Sequence, residues 1–147
     1  MAHKKLLKAP FNGMDFIWNI DDKVGTQTTE RNDANDVLLI KLLLDIILTN
    51  SPTVLDIDIG CRAKPVINDR MDQGLGFWIY ASQVEIKDVI VDGFISPSRG
   101  SPNASFMIFR LNGGANFASK TLWENLPNSP LCSPSLKAQL LAPPRTS

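Results

Sequence analysis

A chain of 147 residues with fifteen basic and fifteen acidic side chains carries no net charge at neutral pH, so it has no long-range field with which to collect phosphates or an anionic membrane surface. Nucleic acid is thereby excluded as the expected partner. The length fits one domain able to bury about two-thirds of the surface its unfolded chain exposes, and the ten prolines and nine glycines follow no repeat period.

The first stretch, residues 1–13, holds His3, Lys4, Lys5 and Lys8 around Leu6 and Leu7. Two leucines are far short of a signal-peptide apolar core, and the stretch reads as a basic and apolar N-terminal arm. Met-Asp-Phe-Ile-Trp-Asn-Ile then places Met14, Phe16, Trp18 and Ile20 on one side of an extended chain, which predicts a strand with one buried face over residues 14–20. Asp21-Asp22-Lys23-Val24-Gly25 turns the chain, and a polar loop leads to Asn32-Asp33-Ala34-Asn35-Asp36.

Residues 37–48 are the most informative of the chain: ten of the twelve are large aliphatics, and only Lys41 and Asp45 are charged. A helix with so little polar surface has no face to give to water and has to be enclosed. Asp33 or Asn35 can cap it, Asp36 suits the positive end of its dipole, and Asn50-Ser51-Pro52 stops it. The run is too short to span a bilayer, and its two charges would fall near the middle of the membrane.

Beyond it, Leu55, Ile57 and Ile59 alternate with Asp56 and Asp58 in a short strand pattern over residues 54–59. Gln73 opens a second helix reaching residue 86, with Gly74 and Gly76 weakening its start by roughly 1 kcal/mol each. A turn at Asp92-Gly93 precedes a third helix from Asn103 or Ala104 to Leu111, for which Asn112-Gly113-Gly114 supplies a stop. Two amphipathic pieces follow over residues 122–127 and 131–141, the second capped by Ser133 with Pro134 in the favoured first position. The last six residues, with Pro143-Pro144, cannot fold alone.

The Val24-Gly25 turn, the polar loop and then Asp36-Val37-Leu38-Leu39-Ile40-Lys41-Leu42-Leu43 resemble the opening of peptidoglycan-binding-type modules. These are small three-helix domains in which a Val-Gly loop leads to an Asp-Val-x-x-Val-Gln-x-Leu-Leu helix. The later Val91-Asp92-Gly93-Phe94-Ile95-Ser96-Pro97, leading to Phe106-x-x-Phe109-Arg110-Leu111-Asn112, is similar to the family's Val-Asp-Gly-x-x-Gly-Pro turn and following helix. The likeness covers residues 23–112. Ser96 replaces the second glycine, Ile40-Lys41 stands where Val-Gln is usual, and the Thr after the Pro has no clear counterpart. The resemblance implies a helical fold and, through the turn and adjoining helix, glycan contacts. Such modules occur in cell-wall hydrolases, and related versions look to have been reused in phage tails and injection machines.

No catalytic constellation emerges. His3, the only histidine, sits in a charged terminal stretch, which rules out Ser-His-Asp, Cys-His and His-based zinc sites within one chain. Cys61 and Cys132 have no metal-ligand companion at short spacing and read as free thiols of a protein made in a reducing cytoplasm. Asp56 and Asp58 could pair as acid and base in a small carboxylate-dependent hydrolase, but a solvated strand face explains them as well. The aromatic cluster Phe77, Trp78 and Tyr80 cannot point all its rings one way on a helix, so at least one should reach the surface.

These readings converge on a mainly α domain with short β strands: an N-terminal arm of residues 1–13, a small three-helix core of residues 14–114 and a C-terminal extension of residues 115–147. The expected function is a non-enzymatic structural subunit of a phage virion, in its tail or baseplate, or of a related contractile injection machine. It would be made in the cytoplasm, assembled with other protein subunits, and would use no cofactor or metal. A peptidoglycan-binding module is the alternative. The expected contact residues are Trp78, Tyr80, Asp92, Gly93, Leu140 and Leu141, the last two on an arm that docks on a neighbour.

Overall fold

The computed structural model describes residues 1–26, 31–50, 65–85, 91–99 and 106–146. The expected strand over residues 54–59, with Asp56 and Asp58, lies outside the described residues, as does Cys61.

Asn12 and Gly13 have φ of 49° and 78°. Two successive left-handed residues make the turn whose twist suits a two-residue hairpin. That turn folds β1 (His3–Phe11) antiparallel onto β2 (Met14–Asn19), pairing His3 with Asn19, Lys5 with Ile17 and Phe11 with Met14. On the other edge of β1, β5 (Arg145–Thr146) runs parallel, with Lys5 opposite Arg145. The first thirteen residues are therefore mostly the central strand of a three-stranded sheet and not an arm. Ala2, His3 and Lys5 are buried.

One buried face was expected of β2, and its second half is buried on both. Phe16 stacks on Trp123, and the Trp18 indole donates to the Trp123 carbonyl at 2.7 Å, while Asn19, pointing the other way, engages Ser98. Lys4 lies over the Phe16 ring at 4.1 Å.

Helix α1 (Ala34–Asn50) starts at Asp33, whose Oδ1 accepts from the amides of Asn35 and Asp36. Its aliphatics are enclosed as the sequence required, each large one contributing roughly 1.5–3 kcal/mol by leaving water. Lys41, fully buried, donates to Asn68 Oδ1, the Arg70 carbonyl and Asp72 Oδ2 at 2.7–2.8 Å. Asp72 also caps α2 (Gln73–Glu85) through Oδ1 to the Leu75 amide. One carboxylate thus joins α2 to the centre of α1.

Among the described residues, a second sheet pairs β3 (Val24–Gly25) with β4 (Phe94–Ile95), antiparallel, with Val24 opposite Ile95. A Cβ on Gly25 would collide with Phe94, so no larger residue fits that crossing. Helix α2 packs on this pair, and Gly76 is needed there because a Cβ would lie 2.5 Å from Thr26 Cγ2.

Helix α3 (Phe106–Ala118) packs along α1. It runs through Gly113 and Gly114, where a stop was expected. Asn112 and Ala115 on either side are fully buried, so packing holds a segment that propensity alone would end. Ser119 then caps α4 (Lys120–Glu124), a 3-10 turn follows over Leu126–Asn128, and Ser133 caps α5 (Pro134–Leu141) by accepting from the Leu136 amide. Trp123, Leu126, Leu136 and Leu140 enter the same hydrophobic core as α1. The fold is mixed α and β, with five α-helices among the described residues, and the C-terminal third is built into its core.

Candidate functional site

An open polar groove of about 700 Å³ lies where the ends of the three-stranded sheet meet the segment after β4. Ser98 forms its wall. The Asn19 carboxamide holds Ser98 at both backbone groups, donating to its carbonyl and accepting from its amide, each at 3.0 Å. Lys5 Nζ donates to the Ser98 carbonyl and to Ser98 Oγ, both at 3.1 Å. Burial pushes the pKa of the Lys5 ammonium and of the His3 imidazole down.

At the rim, Arg145 Nη1 meets Asp21 Oδ1 at 2.8 Å, the Met1 amino group meets Asp21 Oδ2 at 3.0 Å, and Arg99 donates to the Asp21 carbonyl at 3.0 Å. Burial pushes the Asp21 carboxyl up, but the bonds from Met1 and Arg145 outweigh it and hold the pKa below the ordinary range. Behind Asp21 and Asp22, the Asp36 carboxylate accepts from both their amides through Oδ2, while Oδ1, buried and without a hydrogen bond among the described residues, lies 3.8 Å from the Met1 amino group. Burial raises its pKa to about 6 despite those amide bonds.

A different surface lies on the outside of α3. Phe106, Arg110, Gly113 and Phe117 fall at i, i+4, i+7 and i+11, one helical face, and with Phe11 and the hairpin turn they line a hollow of about 230 Å³. Phe117 is 79% exposed and Phe106 44%.

The residues expected to make contacts divide. Trp78 is wholly buried beside Phe77 and is no surface ring, whereas Tyr80 is the member of that cluster that reaches solvent. Asp92 Oδ1 accepts from Gln83 Nε2 and the Phe94 amide, and Gly93, at φ 79°, donates its amide to Gln83 Oε1. That turn is tied into its own fold. Leu140 is buried in the core and Leu141 is exposed.

The groove residues Lys5, Asn19, Ser98, Arg99 and Arg145 were not anticipated. Asn12-Gly13 was the one local signal that could have found them, because a hairpin there puts Lys5 opposite Ile17 in a sheet. Among the described residues, no cluster of three or more His, Cys, Asp or Glu is placed to hold a metal ion, and no helix is long and apolar enough to cross a membrane. Comparison with protein-family models, curated proteins and solved structures finds no match.

Proposed function

We propose that the chain is a non-enzymatic structural subunit of a phage virion, in the tail or baseplate, or of a related contractile injection machine, and that it meets a neighbouring protein subunit through the outer face of α3. The observation that carries this is the exposure of Phe106 and Phe117 along one helical face with Arg110 between them. Aromatic and arginine side chains are the types enriched at the centres of protein interfaces, and an exposed apolar strip with a concave wall is where a partner gains most by excluding water. Phe117→Glu should leave melting within about 1 °C of wild type, since the ring is solvated in the isolated chain, and should prevent incorporation into particles made with the other subunits. Wild-type incorporation of that variant would remove the reading.

Peptidoglycan binding is the second reading, and one relationship favours it. The two segments that resemble the module's motifs, Val24-Gly25 and Phe94-Ile95, are hydrogen-bonded partners in β3 and β4, although about seventy residues separate them. Against it, the Asp92 and Gly93 groups of the turn are spent on Gln83 and Phe94, and Trp78 is unavailable to a sugar ring. Retention of the wild-type chain on purified sacculi at low micromolar concentration would place this reading first.

A further inference from the structure

We propose that the groove beside Ser98 binds a phosphate monoester, with the dianionic phosphate held by Lys5 and Arg99 and the remainder of the ligand lying along the groove. The groove carries unbalanced positive charge. Lys5 is 4% exposed, and both of its hydrogen bonds end on neutral oxygens of Ser98. An ammonium has three donors, so one remains. Arg99 donates to a neutral carbonyl, that of Asp21. Among the described residues no carboxylate lies within ion-pair distance of either.

The acidic side chains bordering the groove are committed elsewhere. Asp21 meets Arg145, Asp22 meets Arg31 at 3.8 Å, and Asp33 caps α1. Two cations, the buried Lys5 and the exposed Arg99, therefore face the groove with only neutral acceptors, and for Lys5 a buried charge without a counter-ion is unfavourable. A doubly charged oxyanion balances both, where a single carboxylate would leave one over. Ser98 adds a third donor: Oγ accepts from Lys5, which leaves its own hydrogen to give. The Asn19 clamp fixes Ser98 on both backbone groups, so these donors are positioned before any ligand arrives. A groove of about 700 Å³ is far larger than a phosphate ion, and the surplus is room for an ester's organic part.

Titration calorimetry at pH 7.5 in buffers matched for ionic strength tests this on the full chain, with ribose 5-phosphate, inorganic phosphate and acetate as probes. The expected order is ribose 5-phosphate tighter than phosphate, and acetate without measurable binding. Arg99→Gln, at an exposed position, should weaken ribose 5-phosphate at least tenfold with melting unchanged, and Lys5→Met, which keeps the buried volume, should do the same. Binding of acetate as tight as phosphate overturns the dianion assignment. Equal affinity for phosphate and its ribose ester overturns the ester. Absence of binding by any probe, or wild-type affinity in a folded Arg99→Gln variant, overturns the site.

Discussion

The Asn112 carboxamide closes a ring with the backbone of Trp18, accepting from its amide through Oδ1 and donating to its carbonyl through Nδ2, both at 2.9 Å. It does what the next strand of a sheet would do. β2 lies at the edge of its sheet, and a buried edge leaves amides and carbonyls that require partners. The same device recurs three times among the described residues: Asn32 holds both backbone groups of Gly25, Asn19 holds those of Ser98, and Gln83 takes the Gly93 amide and the Phe94 carbonyl. A carboxamide is the only neutral side-chain group with a donor and an acceptor at the spacing of a peptide unit, which lets this chain bury loop and strand edges with little sheet.

Asn112→Leu keeps the volume and removes the ring. The Trp18 amide and carbonyl, and the Trp123 indole that also donates to Asn112 Oδ1 at 3.0 Å, lose their partner in a buried site, and a stranded polar group costs about 1–3 kcal/mol. Urea unfolding should show a loss of about 3 kcal/mol or more. Asn112→Asp keeps the acceptor but gives nothing to the Trp18 carbonyl, and should also be destabilised. Loss below about 0.5 kcal/mol in the leucine variant would mean that water satisfies the edge.

The Lys41 and Asp72 pair supports a second test. Burial pushes the Asp72 carboxyl up, but the Lys41 ammonium and the Leu75 amide outweigh it and hold its pKa below the usual range. Asp72→Ala removes the cap of α2 and leaves Lys41 charged in the core without its counter-ion, a change worth about 3–5 kcal/mol. Adding Lys41→Met to that variant should restore part of the loss, because the charge that needed a partner is gone. A double variant no more stable than Asp72→Ala alone, by urea unfolding, would show that the pair contributes little beyond the helix cap.

What was legible in the sequence was local. The enclosure of α1 follows from its composition, the Asp33 and Ser133 caps from residue type and position, and the Asp92-Gly93 turn from glycine at a left-handed site. Reading residues 1–13 as an arm missed the Asn12-Gly13 hairpin, a local signal that lysines at positions 4, 5 and 8 obscured. Other features could not have been read locally. Gly113 and Gly114 carry a stop signal that the burial of Asn112 and Ala115 overrides, and Trp78 looks equally like core or contact until its neighbours are known. Asn32 and Asn112 resemble loop or cap residues in the sequence and Asn19 an outward-facing strand residue, and each acquires its role from a backbone segment 7 to 94 positions away. The groove draws on positions 5, 19, 98, 99 and 145, which only the closed sheet and the clamped Ser98 bring together.

Asp36 makes stability depend on pH. Its carboxyl titrates at about 6 in the folded chain and near the ordinary value of about 3.9 when unfolded. Between those values the native state keeps a proton that the unfolded state has released, so Asp36 favours folding in acid, and that contribution is lost as pH rises from about 4 through 6. The size is about 3 kcal/mol at most for a shift of this order. The buried His3 works the other way, since its lowered pKa makes folding more favourable as pH rises toward 6.5, and a raw stability profile would mix the two. Asp36→Asn stays neutral throughout and leaves His3 in place. The difference in unfolding free energy, wild type minus variant, should therefore fall by about 2–3 kcal/mol between pH 4 and pH 7, measured by urea unfolding at half-unit steps. A difference that stays flat across that range would show that Asp36 keeps an ordinary pKa and that its buried Oδ1 has found a partner in water.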